Sequence, residues 1–470
     1  MLIRNRHSFI WRDVCALTLL ALALNFTHLG TISVWLDESA SILYARSTFA
    51  SLLHVLAGGD PNMGLYHLLL NLWVRIFGES EFAVRSMSAL FGALAVAAVY
   101  LLGVHLYGRV AGLLAGLLFA LNAFIVQYAQ DARSYSLLGL LVTLSSYFLV
   151  VELERPSKRY RMAYVISSSL AIYAHYFAAY VLIVQFATVV TMRGRDALKR
   201  DWLAVWAAIL LLCMPAAIIA YHSGTGWLNW LKQPSIYDLW SVLVALAGGS
   251  WLLLIAILAC GSYATLCAIR EMRYWRQGFV AAWLLVPIAL SFIVSRIQPM
   301  FLARYFTICV PALVLFGASV VPQLRRPIAT GLVIALLVGL SAMQLAQYYG
   351  RSQSEDWRDA TRYIIADTQP GDAIVFYPAY ARGPFEYYQR QGEVAGPTIL
   401  SATSRMDEQR IWLAIRGWDA ADHLLATGQL QSSLREKYWP ALKRRFPGVE
   451  VELYVRRFRQ NPDNPRRYMN

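Results

Sequence analysis

Long apolar runs separated by short polar or basic segments fill the first three quarters of the chain. A helix rises about 1.5 Å per residue, so about 20 apolar residues cross the roughly 30 Å of hydrocarbon in a bilayer. Runs of this kind lie at 14–34, 82–104, 110–128, 135–151, 202–221, 239–268, 277–295, 305–321 and 328–347. The stretch 162–192 is too long for one span. His175 at its centre divides it into 162–174 and 176–192, which brings the expectation to eleven crossings. Arg4, Arg6 and Arg12 precede the first run, which reads as an uncleaved anchor rather than a signal peptide because many spans follow it. The segments 39–56 and 59–78 are apolar and helical in pattern but short, and read as helices lying at the interface. In the second, Asp60 suits the cap, Pro61 the first helical position and Gly78 the end.

From residue 350 the pattern changes. S-E-D-W-R-D-A-T-R-Y-I-I-A-D reads as a helix opened by Ser354, and Q-P-G-D as a turn. A-I-V-F-Y (373–377), R-I-W-L-A-I-R (410–416) and V-E-L-Y-V-R-R-F (451–458) read as strands with helical segments between them. The expected organisation is a polytopic α-helical membrane domain, 1–349, followed by a small α/β domain, 350–470.

Composition agrees with this pattern. Of 470 residues, 58% are hydrophobic and 15% charged, against about 25% charged in soluble domains. Net charge is +14. In a membrane protein that excess marks cytoplasmic loops rather than a nucleic-acid partner. With the N-terminus inside, the cytoplasmic segments carry 17 of the 24 Lys and Arg residues before residue 350, and the outer segments seven. This asymmetry, with an odd number of spans, puts the C-terminal domain outside. The five cysteines lie in or at the ends of apolar stretches with no C-x-x-C pair, unlike a zinc cluster or disulfide framework.

The unusual polar residues gather on the outer side. W-L-D-E follows the first span and brings two adjacent carboxylates, Asp37 and Glu38, to the membrane surface, where they need solvent, a partner or a task. N-M-G-L-Y-H adds Tyr66 and His67. Q-Y-A-Q-D-A-R-S-Y holds Asp131 and Arg133, either a loop ion pair or an acidic group beside an arginine whose donor fork fits phosphate. S-R-I-Q-P-M-F-L-A-R-Y-F brings Arg304 and Tyr305 to the start of a span, where a cation snorkels or finds an anion. His175 sits in a short outer turn. Together these suit a reaction whose donor is a lipid-linked phosphate: a carboxylate takes the acceptor's proton, and arginines hold the leaving phosphate.

In their order, W-L-D-E, the interfacial helix, G-D-P-N-M-G-L-Y-H-L-L-L-N-L-W, F-G-E-S-E-F-A-V-R-S-M-S-A-L-F-G-A-L and Q-Y-A-Q-D-A-R-S-Y-S-L, the motifs resemble those of the GT-C membrane glycosyltransferases. Within that fold the likeness is to protein O-mannosyltransferases and bacterial aminoarabinose transferases, including members with RgtA/B/C/D-like domains. E-D-W-R and Q-P-G-D resemble motifs in the extracytoplasmic tails of some bacterial members. The resemblance implies a GT-C fold and transfer of a hexose or pentose from a polyprenyl phosphate, with inversion, to a lipid, glycan or protein acceptor outside the cytoplasm. It maps the first acidic motif onto Asp37 and Glu38, with Asp37 as base, and the second acidic position onto Asp131. It also implies substrate contacts from Asp60, Asn62, Tyr66, His67, Arg85, Arg133, Tyr135, His175, Arg304 and Tyr305. Where relatives carry His-Pro-Pro before Leu-Tyr-Tyr, this chain has Asn62, Met63, Gly64, Leu65, Tyr66 and His67. No cofactor is fixed by these motifs. A divalent metal, if used, would fall to Asp37 and Asp131.

The expected function is therefore a polyprenyl-phosphate-sugar glycosyltransferase of the bacterial inner membrane, working on the periplasmic face. Its partners are the lipid-linked donor, the acceptor and the bilayer, with no nucleic acid. A flippase for a lipid-linked sugar and a non-catalytic scaffold are the rival readings. The first would place polar groups at mid-membrane depth.

Overall fold

The structure, a computed structural model of the chain, describes residues 2–58, 62–194, 200–224, 226, 231–271, 274–351, 355–393, 395–401, 406–417 and 421–457. It divides into a helical unit, Met1–Leu29 with Ser41–Arg351, and a second unit, Gly30–Ala40 with Ser352–Asn470.

The helical unit begins with α1 (Leu2–Phe26). α2 (Leu36–Arg46) runs from the second unit into the first. α3 (Phe49–Gly58) and α4 (Gly64–Phe77) follow, then the hairpin of α5 (Glu81–Tyr107) and α6 (Arg109–Ala120). Next come α7 (Ala123–Ala129), α8 (Tyr135–Glu154), α9 (Lys158–Ala174), α10 (Ala178–Arg193) and α11 (Arg200–Ser223). The unit continues with α12 (Ile236–Leu246), α13 (Trp251–Arg270), α14 (Trp275–Val294), a 3-10 segment Ala303–Cys309 leading into α15 (Val310–Ala318), and α16 (Pro327–Tyr349).

Among the described residues eight helices are long and apolar enough to cross a bilayer, nine if the bent α6–α7 pair is one span. α9 and α10 follow the two predicted spans around His175 but have only 17 and 16 residues. Three predicted spans need correction. The first helix ends at Phe26 rather than at 34, and His28 turns the chain with φ 58°. The run 110–128 bends by 60° at Asn122. Asn122 caps α7 by accepting from the Ile125 N–H and donates to the Leu246 carbonyl, so it supplies partners that a broken helix would otherwise lack. The run 239–268 is two helices. Ser235 and Asp238 form a capping box at the start of α12. Gly248 and Gly249, at φ 72° and 93°, turn the chain, and Ser250 caps α13.

Small residues let the helices close up. A Cβ on Gly103 of α5 would sit 2.8 Å from the Gly112 Cα of α6, and one on Gly261 of α13 would overlap the Phe316 ring of α15. The predicted spans read as apolar throughout, yet polar side chains join them inside. Ser145 contacts Ser168 at 2.8 Å and donates to Gln185, which donates to Ser146, linking α8, α9 and α10. Gln277 of α14 accepts from Tyr107 and donates to Ser319. Such bonds hold helices together where lipid offers no alternative partner.

The second unit carries α17 (Trp357–Asp367), β1 (Ala373–Tyr377), α18 (Arg382–Gln391), β2 (Thr398–Leu400), β3 (Arg410–Arg416), α19 (Ala421–Lys437), β4 (Tyr438–Phe446) and β5 (Val449–Arg456). The sheet order is β2-β1-β3-β5-β4, parallel across the first three strands and antiparallel across the last three. Trp357, Ile364, Phe376, Phe385 and Trp412 build the core on one face, and Val375, Leu413, Leu434 and Tyr454 on the other. The predicted turn is present. Gly371 takes φ 90°, and Asp372 accepts from the Gln369 N–H and the Trp412 indole. Asp356 caps α17, one residue before the helix. Ser354, expected in that role, lies outside the described residues.

Gly261→Ala should lower stability by about 1–3 kcal/mol, since the Phe316 ring has to move. Gly331→Ala, in open space on α16, should be neutral or raise it by about 0.5–1 kcal/mol through helix propensity. Thermal unfolding of both variants in detergent checks the pair. Equal midpoints would show that the Gly261 contact is not tight.

Candidate functional site

In the second unit, Asp37 and Glu38 occupy the first turn of α2, where the helix N-terminus favours negative charge. Ser39 closes that turn, its N–H donating to the Trp35 carbonyl and its hydroxyl to the Leu36 carbonyl. Glu38 is fully buried, and Asp37 is half-buried. Arg416, gripped by Glu355 at 2.7 Å, lies within the field of the Asp37 carboxylate.

In the helical unit, α4 turns Tyr66, His67, Leu70 and Asn71 inward. Their spacing of one, three and four residues is that of one helix face. The Tyr66 hydroxyl meets Ser88 of α5 at 2.8 Å, and Ser88 donates to the Arg133 carbonyl at 3.2 Å. Arg133 donates its backbone N–H to the Asp131 carbonyl and reaches Ser41 at 3.4 Å. His67 packs edge-on to Tyr44, ring centres 5.0 Å apart. It is 1% exposed, and neither of its ring nitrogens has a hydrogen-bond partner. Asn71, one turn on, donates to the Ala45 and Ser47 carbonyls.

A second group adjoins the turn between α9 and α10. The Asn62 amide lies 3.2 Å from His175 Nε2 and accepts from the Tyr176 N–H. The Phe177 N–H approaches His175 Nδ1 at 3.2 Å. The His175 ring centre lies 5.0 Å from that of Tyr305 and 6.1 Å from that of Tyr135, and the Arg304 guanidinium sits 5.9 Å from the Tyr305 ring centre.

Electrostatics tie the two groups together. Burial, and then the charge of Arg133, push the His67 pKa down to about 3. Burial, Arg133 and Arg304 do the same to His175, also to about 3. Both imidazoles are therefore neutral at ordinary pH and too weakly basic to serve as the general base. The fixed positive charges belong to Arg133 and Arg304. Two arginines with neutral imidazole and phenol groups around them suit an anion that accepts several hydrogen bonds.

Of the residues expected at the site, Asn62, Tyr66, His67, Arg133, Tyr135, His175, Arg304 and Tyr305 belong to these two groups. Arg85 is buried on α5 and donates to the Leu29 carbonyl, so it braces the chain after α1. Asp60 lies outside the described residues. Met63, at φ 68°, caps α4. Sequence reasoning missed Ser41, Tyr44, Ser88 and Phe177. Ser88 and Phe177 stand in apolar runs, and Ser41 and Tyr44 in an amphipathic one, so nothing in the pattern singled them out. Among the described residues no three His, Cys, Asp or Glu side chains gather as metal ligands.

Residues 63–221, about a third of the chain, match the family described as dolichyl-phosphate-mannose-protein mannosyltransferase. Among solved structures, the chain is similar to ArnT from Cupriavidus metallidurans bound to undecaprenyl phosphate, with TM-score 0.61 and 15% identity over 94% of this chain and 97% of that one. It is similar to the archaeal oligosaccharyltransferase AglB from Archaeoglobus fulgidus, solved with an inhibitory peptide and a dolichol-phosphate, with TM-score 0.59 and 11% identity over 98% and 75%. It is also similar to the mycobacterial arabinofuranosyltransferase AftD, with TM-score 0.51 and 14% identity over 94% and 41%. No curated protein matches the sequence. The chain is a multi-pass membrane protein with the GT-C fold, as its motifs led us to expect.

The histidines give this site a pH signature. Each ring binds a proton near pH 6.5 in the unfolded chain but only near pH 3 when folded. Between those values the unfolded state holds more protons, so stability is full above about 6.5 and falls as the pH drops towards 3. Each ring contributes at most about 1.4 kcal/mol per pH unit. His67→Gln should flatten the fall of the thermal midpoint between pH 7 and 4 relative to wild type. Parallel curves would mean that His67 is not buried in the neutral form.

Proposed function

We propose that this protein transfers a monosaccharide from a polyprenyl-phosphate donor to a hydroxyl of a lipid, glycan or protein acceptor. The observation that carries the proposal is a buried cluster in a GT-C fold in which Arg133 acts on both His67 and His175, and Arg304, with Tyr135 and Tyr305, lies by His175. The proposed organisation is a transmembrane catalytic domain, 1–349, and a periplasmic domain, 350–470. The N-terminus is cytoplasmic and the site faces the periplasm of a bacterial inner membrane. The one-sided distribution of Lys and Arg in the loops supports this orientation.

Asp37 is the proposed general base. It takes the proton of the acceptor hydroxyl as that oxygen attacks the anomeric carbon. The bond from the anomeric carbon to the donor phosphate oxygen breaks, and its electron pair stays on the phosphate. Attack opposite the leaving group inverts the anomeric centre. The donor is a phosphodiester with one negative charge, and the leaving polyprenyl phosphate gains a second. Arg133 and Arg304 are proposed to stabilise that added charge, and Asn62, His175 and Tyr305 to orient the phosphate. Glu38, fully buried beside the base, and Asp131, whose carbonyl holds the Arg133 turn, are proposed to support the base and the arginine respectively.

Purified protein given radiolabelled polyprenyl-phosphate monosaccharides and a membrane lipid and glycan extract should transfer label. Asp37→Asn should lose about 10²–10⁴-fold in turnover while remaining folded and inserted. Arg304→Ala should lose about 10²–10³-fold, the scale of removing one donor to a developing charge. Donor translocation without cleavage would instead make the protein a lipid-sugar flippase, and normal turnover in Asp37→Asn would remove Asp37 as base.

A further inference from the structure

The segment carrying the carboxylate motif groups with the C-terminal unit, although more than 300 residues of chain separate them. Residues 30–34 form no helix or strand. A peptide segment without regular structure needs partners for its N–H and C=O groups, and α17 and α18 supply them. Arg358 donates through Nη1 to the Thr31 carbonyl at 3.0 Å, and through Nη2 to the Gly30 and Ile32 carbonyls at 3.2 Å each. Its backbone N–H donates to the Ser33 hydroxyl at 3.1 Å. The Tyr388 hydroxyl accepts from the Val34 N–H at 2.7 Å. On α18, Gly383 packs so close to α2 that a Cβ there would lie 2.5 Å from Ser39 Oγ and 3.4 Å from Ser39 Cβ.

We infer that the C-terminal unit is the mount of the carboxylate motif, and that Arg358 is a positioning residue that fixes the 30–39 segment and, through it, Asp37. A guanidinium suits this task because its donors point in fixed, divergent directions and can reach three successive carbonyls. A lysine ammonium, a point charge on a flexible stem, cannot hold the same set. Tyr388 and Gly383 contact the same segment from another helix, so it is held on both sides of the carboxylates, at Val34 three residues before Asp37 and at Ser39 directly after Glu38. The chemical consequence rests on the reading of Asp37 as general base, since a base works only when held within about 0.5 Å of its productive position. The mount itself can be tested apart from that reading.

The test uses the full-length protein in detergent. Ser39→Cys with Gly383→Cys brings two Cβ atoms to the short end of the roughly 3.5–4.5 Å that disulfides span. The pair should cross-link on mild oxidation, which peptide mapping detects. Adding Arg358→Ala should slow cross-linking at least about fivefold, with Arg358→Lys between that and the parent. In the transfer assay Arg358→Ala should lower kcat at least about tenfold with donor KM within twofold, and Tyr388→Phe, which keeps the fold, should lower it less. Unchanged cross-linking in Arg358→Ala would overturn the mount. Slowed cross-linking with unchanged kcat would overturn the positioning role. Absence of transfer in the wild type would sink the glycosyltransferase reading and leave the cross-linking result to decide the mount.

Discussion

A hydrocarbon layer hydrates neither a charge nor an unpaired peptide group, and this constraint sorts the chain. Apolar helices fill the spans. Polar groups are left two places. Some bond to one another inside the bundle, as Ser145, Ser168, Gln185 and Ser146 do. The rest collect where helices end, and there Asn62, His67, Arg133, His175 and Arg304 draw together from segments far apart in sequence. Burial at those ends strips water from both imidazoles and is the first cause of their low proton affinity, with Arg133 adding to it at both and Arg304 at His175.

Much of this was legible in sequence because the hydrophobic signal is long and redundant. Strands β1 and β3 carry continuous apolar runs and appear at their predicted bounds. β2, only three residues, offers too little pattern. β4 is an exposed edge strand carrying Pro440, Lys443, Arg444 and Arg445, the residues that keep an edge from pairing, and they erase the alternation that identifies a strand. Helix breaks within apolar runs were also hidden. Asn122, at the break between α6 and α7, bonds the Leu246 carbonyl, a contact 124 residues away.

The candidate site shows the same division. Residues of unusual type for their surroundings, such as His67, Arg133, His175 and Arg304, stood out. Their protonation did not, because a histidine's charge depends on burial and on which cations fold against it. Arg85 stood out in the same way, and the fold shows that one of its donors holds the Leu29 carbonyl. Sequence shows that a buried arginine needs a partner; only the fold shows whether a backbone carbonyl already serves. Arg358 illustrates the reverse: an arginine near the start of a soluble helix looks ordinary until the carbonyls of residues 30–32 are found around it.

The neutral imidazoles bear on catalysis through charge. In the proposed reaction the phosphate gains about one negative charge as the sugar departs. If Arg133 and Arg304 hold the phosphate as proposed, their positive charge favours the product phosphate over the donor, with the transition state part of the way between, and that preference lowers the barrier. Held neutral, the imidazoles add no fixed charge of their own. The same argument places a cost on release: the monoester that leaves is the species these arginines hold best. An anion bound there would offset the part of the effect that Arg133 adds to burial at His67 and His175, so by linkage phosphate binding would raise the affinity of both rings for a proton.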